Sequence, residues 1–323
     1  MRRSGYVSKT KNVVIIGGGH GQSAICRGIK NIENLKISAI VTVADDGGST
    51  GRLRKRFHIP AMGDIRNVMI ALAESESLMS NLMDYRFEDA AGDESDVGGH
   101  NLGNLILTAL TQQSGSFMEA VQIIGKVLNV KGSIIPATTQ VITLYAMMAD
   151  GVIVKGEANI PTRENRIRRV FYQEPVHAVP EAVEALKRAD LIIYGIGSVY
   201  TSILPNIIID EMREALNASK AKKVYFCNAM TQPGETDGFC LEDHVEALQS
   251  HGAPVDEVVF ASDRLPQQLI DKYAKEGSIP VIERTRSHPY KVRYESLLNF
   301  SSGLVRHDSL KIEQTVRKLV EEL

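Results

Sequence analysis

Two hydrophobic rhythms alternate along this chain. Short runs that are apolar almost throughout give way to longer stretches with apolar residues at three- and four-residue spacing. The first rhythm marks strands buried on both faces, and the second marks amphipathic helices. Val13-Val14-Ile15-Ile16, Lys36 to Ala44, Asp190 to Tyr194, Lys223 to Cys227 and Glu257 to Phe260 read as strands. Helices are expected over about Gln22–Asn31, Asp64–Glu74, Leu102–Gln112, Phe117–Leu128, Pro180–Arg188, Asn206–Leu216, Leu241–Ser250 and Pro266–Glu276. Strands alternating with helices predict an α/β fold: a Rossmann-like, mainly parallel sheet flanked by helices. Between Val141 and Ile160 the alternation stops. Two β-prone runs flank Ala149-Asp150-Gly151, which reads as an inserted antiparallel hairpin within about residues 138–161.

No repeat or low-complexity linker divides the chain, so residues 1–323 are expected to form one elaborated domain. A last helix over about 309–322 could pack on the body or on a second copy, which leaves a homo-oligomer open. The acidic stretch Glu88 to Asp96 reads as a solvated loop.

Composition narrows the function classes. Lys and Arg number 37 against 39 Asp and Glu, a net charge of -2, so nothing points to nucleic acid. No apolar run reaches the ~18–20 residues of a membrane helix. Cys26, Cys227 and Cys240 form neither a CxxC pair nor a disulfide framework, which suits a reducing cytoplasm.

The candidate chemistry lies in loops that a parallel sheet brings together at its carboxyl edge, where ligands of such folds bind. Gly17, Gly18, Gly19, His20 and Gly21 follow the first strand and open a helix, an arrangement suited to phosphate. The Gly19-x-Gly21-x-x-Ala24 spacing fits a dinucleotide fingerprint, so bound NAD stays open. After the second strand, Asp45 and Asp46 could hold magnesium or act as a base, Asp45 being the metal candidate. Arg52, Arg54 and Arg56 nearby suit phosphate. Asp64 reads as a helix cap, with Arg66 and Asn67 behind it. His100 and Asn104 open another helix and could face a ligand there. Gly197, Ser198, Thr201 and Ser202 form a second phosphate-cradle candidate. Asn228, Thr231 and Gln232, in a polar loop reaching Gly238, offer the paired donors and acceptors that a nucleobase edge requires.

These motifs, in the stretches IVTVADDGGSTGRLR, GDIRNV, GHNLGNLIL, VYTSILPN and NAMTQPGETDG, resemble the gluconeogenesis factor family of the 2-phospho-L-lactate transferase superfamily. The resemblance covers roughly residues 12 to 260. It implies a cytoplasmic bacterial protein that supports cell shape on gluconeogenic carbon sources and binds UDP-sugars such as UDP-glucose or UDP-N-acetylglucosamine. A protein partner, unidentified, is expected to carry the effect onward. No catalytic reaction comes with this branch. Its sister branch transfers a phospholactyl group from a guanylyl donor with magnesium. His20 stands where the superfamily often has threonine, and Ile196 where proline is common. Three functions are therefore carried forward: a nucleotide-sugar sensor, a phosphotransferase using Asp45 or Asp46, and a nicotinamide-dependent oxidoreductase.

Overall fold

The computed structural model describes residues 10–74, 78–88, 97–163 and 165–323. Most of the acidic stretch Glu88 to Asp96 therefore lies outside the described residues.

Strands β1 (Lys11–Gly17), β2 (Leu35–Val41) and β3 (Ser133–Pro136) form one side of the main sheet. An inserted sheet is built from β4 (Tyr145–Met148), β5 (Ile153–Lys155) and β6 (Ile167–Phe171). The main sheet then resumes with β7 (Leu191–Tyr194), β8 (Lys222–Phe226), β9 (Glu257–Ala261) and β10 (Lys291–Glu295). Its seven strands are all parallel, in the order β10-β9-β8-β7-β1-β2-β3. The chain builds outward from β1 through β2 to β3, then returns to lay β7 against the other side of β1. That reversal is the topological switch point of a doubly wound sheet, where the loops after two adjacent strands part and leave a crevice. β7 is the central strand with β1 beside it, and Val13 to Ile16 and Leu191 to Tyr194 are fully buried. This is why both runs are apolar without alternation.

Helix α1 (Gly19–Ile29) follows β1; α2 (Gly48–Phe57), α3 (Gly63–Leu72), α4 (Leu78–Asp84), α5 (Leu102–Ser114) and α6 (Phe117–Val127) lie between β2 and β3. The C-terminal helix Ser309–Glu321 packs on the body: Ile312, Val316 and Leu319 are fully buried, and Gly28 of α1 lies against the Ser309 carbonyl. A β-carbon at Gly28 would stand 2.5 Å from that oxygen, so only glycine permits the approach.

The structure departs from the sequence reading in several elements. The hairpin β4–β5 forms with its turn at Asp150 and at Gly151, whose φ is +85°. It is two-thirds of a three-stranded sheet, because β6 pairs with the other edge of β4 and carries the insertion on to Phe171. The charged run IRRVF hid that strand. The Asp45–Arg52 segment is a loop only as far as Gly47; Ser49 to Arg52 form the first turn of α2. The helix expected from Asn206 is broken. A wide turn at Val199–Ile203 leads into Leu204–Ile207, and Asp210–Ala218 follows as a separate helix. β3 and β10 were missed because they are short edge strands, and β10 (KVRYE) is mostly polar.

Candidate functional site

The loops after β1 and β7 touch at the switch point. A β-carbon on Gly21 would lie 2.0 Å from the Ile196 carbonyl oxygen, so this glycine serves the loop contact whatever binds there. Gly19 has φ +63° and Gly197 φ +142°, conformations that side-chain-bearing residues rarely adopt. Gly18 is the N-cap of α1 and carries no side chain, and the Asp64 carboxylate accepts the Gly19 N–H that opens its first turn.

Asp64 is not the cap of α3, contrary to expectation. Met62 holds that position, and Asp64 sits in the first turn with its carboxylate against Gly18 and bonded to the Gly19 amide. Burial, then the charge of Asp45, pushes its pKa up to about 7. Asp45 accepts the Gly47 N–H at 2.9 Å and the Thr50 hydroxyl, and burial raises its pKa too. Asp46 accepts the Ala158 N–H at 2.9 Å, which ties the insertion's 3₁₀ turn Glu157–Thr162 to the body. That turn brings in Glu157. Burial raises its pKa to about 8, helped by the charges of Asp45, Glu235, Asp64 and Asp46. Asp64, Glu157 and Glu235 thus join the two predicted aspartates along one acidic edge. Among the described residues no three such side chains form a ready-made ion cage.

The loops after β7 and β8 are laced together. Ser198 Oγ accepts the Thr201 N–H at 3.0 Å and donates to Glu235, and Thr201 Oγ1 donates to the other Glu235 oxygen at 3.2 Å. The predicted cradle hydroxyls therefore hold a carboxylate of this chain, buried among them. Asn228 accepts the Gly197 N–H at 3.3 Å and donates to the Gly197 carbonyl at 2.9 Å. Thr231 Oγ1 accepts the Ile279 N–H. Of the three residues expected to read a base, Gln232 alone is not bound to main chain through its side chain among these contacts; it accepts from Asn228.

Beside these loops lies a cleft of about 690 Å³. His20, Gly21, Gly197, Asn228, Thr231 and Gln232 line it, as the sequence predicts for one crevice. Sequence reasoning missed its other wall, made by Arg27, Tyr273, Ser278, Arg306, His307 and Ser309. These residues carry no motif: Arg27 is on α1, Tyr273 and Ser278 follow β9, and Arg306, His307 and Ser309 arrive as the C-terminal segment folds back over α1. The Tyr273 hydroxyl accepts the Val305 N–H at 3.1 Å, which fixes the ring in the wall. Burial lowers the pKa of His307 to about 4, so it is neutral at physiological pH.

The remaining predicted residues gather elsewhere. Ser49 Oγ lies 2.9 Å from His100 Nδ1 and 3.4 Å from Asn104 Nδ2, which joins the starts of α2 and α5. Arg66 bonds Asn67 at 2.7 Å and pairs with Asp84 at 3.6 Å. Arg52 donates to the Gly98 carbonyl, and Arg54 to the carbonyls of Ala44, Asp45 and Ile142. Arg54 is thus a buried brace for the Asp45 loop. Among the described residues, no helix is long and apolar enough to cross a membrane.

Fold and site together define a doubly wound, Rossmann-like α/β protein with an acidic edge beside its crevice. Residues 13–298 match the family described as 2-phospho-L-lactate transferase CofD. The chain is 42% identical to the gluconeogenesis factor of Bacillus subtilis over 316 residues, covering 96% of this chain and 98% of that protein. It is 46% identical to the gluconeogenesis factor of Halalkalibacterium halodurans over 277 residues, 85% of this chain and 84% of that one. A crystal structure of a UPF0052 family member from Bacillus halodurans superposes with a TM-score of 0.90 at 40% identity, covering 96% of this chain and 99% of that one. The chain belongs to the gluconeogenesis factor branch of the CofD family.

Proposed function

We propose that this protein binds a UDP-sugar in the switch-point cleft and works in the cytoplasm as a nucleotide-sugar sensor supporting cell shape during gluconeogenic growth, acting through a protein partner. The observation that carries the binding is the cleft's composition. Glycine loops allow close backbone approach to a diphosphate, and the amides of α1 beyond Gly19 add a positive dipole end. Arg27, Arg306 and His20 supply donors for phosphate, and the Tyr273 ring and Gln232 supply an apolar face and an amide for the base. Calorimetry with UDP-glucose, UDP-N-acetylglucosamine, GDP and NAD tests the reading. Micromolar binding of the UDP-sugars and its loss in Arg306→Ala are expected; tight NAD binding with none of the UDP-sugars would overturn it.

A second reading, a phosphotransferase of the 2-phospho-L-lactate transferase type, is favoured by the acidic edge. Hard carboxylate oxygens on Asp45, Asp64 and Glu157 suit magnesium, which commonly takes one or two carboxylates and completes its shell with water and ligand phosphate. Asp45 is the first candidate ligand, since its loop is braced by Arg54. Magnesium there would neutralise a bound diphosphate that these carboxylates otherwise repel. Phosphorus-31 spectra of a phosphodiester donor, with and without magnesium, distinguish turnover from binding alone.

A further inference from the structure

The Asn228–Gly238 loop separates two clefts of equal size. The second, also about 690 Å³, opens between this loop and the inserted segment, and Pro233 lines both. The inner wall of this second cleft contains Glu235, which is only 7% exposed, and the buried ring of Phe239. Each Glu235 oxygen already accepts one hydroxyl, from Ser198 or Thr201. A carboxylate has about four acceptor sites, so two remain for a ligand. The rest of the cleft carries three arginines against two aspartates, Asp237 and Asp243. Arg163, Arg166 and Arg284 line it, and Arg166 and Arg284 share one carboxylate, Asp243, at 3.6 and 3.3 Å. The Arg166 guanidinium also lies over Phe239, 5.2 Å from the ring centroid.

An acceptor within and guanidinium groups toward solvent select a molecule with hydroxyls at one end and an anion at the other. We infer that this cleft is a second ligand site, for a small phosphorylated polyol such as a sugar phosphate. Arginines grip the phosphate through paired N–H groups, and Glu235 accepts the hydroxyls. Gly234, at φ +79°, lies so close to the Pro161 carbonyl that a β-carbon would stand 1.8 Å from that oxygen. That contact packs the insertion's turn against the loop that both clefts share.

The test uses the whole protein, with glucose 6-phosphate as probe and glucose and inorganic phosphate as controls. Calorimetry should show glucose 6-phosphate binding at least about ten-fold more tightly than either control, since both ends contribute. It should bind equally well when UDP-glucose is saturating or absent from the first cleft. The double variant Arg163→Ala, Arg284→Ala should lose about ten-fold or more in glucose 6-phosphate affinity. Its circular dichroism and its UDP-glucose titration should match the parent protein. Glu235→Gln should erode the preference for glucose 6-phosphate over inorganic phosphate. The inference is overturned if the probe binds no better than phosphate, if UDP-glucose displaces it, or if the double variant binds it normally. A failure of UDP-glucose binding alone would instead remove the nucleotide reading and leave this site standing.

Discussion

Asn228 grips the main chain of Gly197 from both sides, its Oδ1 accepting the glycine N–H at 3.3 Å and its Nδ2 donating to the glycine carbonyl at 2.9 Å. One side chain thereby pins the loop after β7 to the loop after β8. A residue whose amide is directed at a neighbouring loop sets the shape of the cleft rather than the identity of the base. Asn228→Ala should therefore weaken UDP and GDP ligands by a similar factor, about ten-fold if ~1–1.5 kcal/mol of loop pinning is lost. Parallel titrations of the two nucleotides check this; a change in their ratio would return Asn228 to base reading.

Two glycines of the first loop should fail in different ways. A side chain at Gly21 would run into the Ile196 carbonyl, whereas around Gly19 the nearest atom to a β-carbon is an Asp64 oxygen at 3.9 Å. Gly21→Ala should lower the melting temperature by several degrees or abolish folding, because two backbones are forced apart. Gly19→Val should keep a folded protein, strained at its positive φ, and should block nucleotides of every kind by filling the phosphate path. Thermal melts paired with calorimetry separate the two.

Asp64 and Glu157 make the protein sensitive to pH near neutrality. Their folded pKa values, about 7 and about 8, lie above the ordinary carboxylate values of 3.8 and 4.5. A folded state that holds its protons more tightly than the unfolded chain is most stable below the lower values and loses stability as pH rises through the higher ones. Stability should thus fall between about pH 4 and pH 8, and Asp64→Asn should flatten that slope and raise the melting temperature more at pH 8 than at pH 5. A variant whose melting curve follows the parent at every pH would show that Asp64 is not the cause.

The same carboxylates predict how magnesium and protons interact at the site. Without magnesium, UDP-glucose should bind more weakly as pH rises from 6 to 8.5, because ionised carboxylates repel the diphosphate. Added magnesium should restore binding most at the higher pH. Asp45→Asn should reduce that restoration while leaving the fold intact. Binding that is indifferent to both pH and magnesium would separate the acidic edge from the ligand.

Asp46 should matter to the insertion rather than to the ligand. Its carboxylate holds the Ala158 amide across 112 residues of chain, and Gly156 lies close beside it. Asp46→Ala should speed hydrogen exchange over Glu157–Thr162 with little effect on the main sheet. Unchanged exchange there would mean that the contact between Gly234 and Pro161 alone suffices.

The sequence by itself determined the architecture, because burial on both faces leaves a direct mark. A central strand such as Val13 to Ile16 must be apolar at every position, and a helix packed on one side must be apolar at every third or fourth. The glycine loops were legible for a similar reason, since a backbone that must approach another group closely cannot carry a side chain. The edge strands β3 and β10 left no such mark, β3 because it is only four residues long and β10 because none of its residues is fully buried. What only the tertiary structure decided was which polar groups face one another. Asp64 looks like a helix cap in sequence, and Glu157, Glu235, Tyr273 and Arg306 look like surface residues. They become site residues because segments following β2, β3, β8 and β9 are laid against the same edge, and because the chain before the final helix folds back on α1. Local patterns record whether a residue is buried or exposed. They do not record the distant carboxylate or hydroxyl it meets, since that contact depends on chain from 34 to 112 residues away.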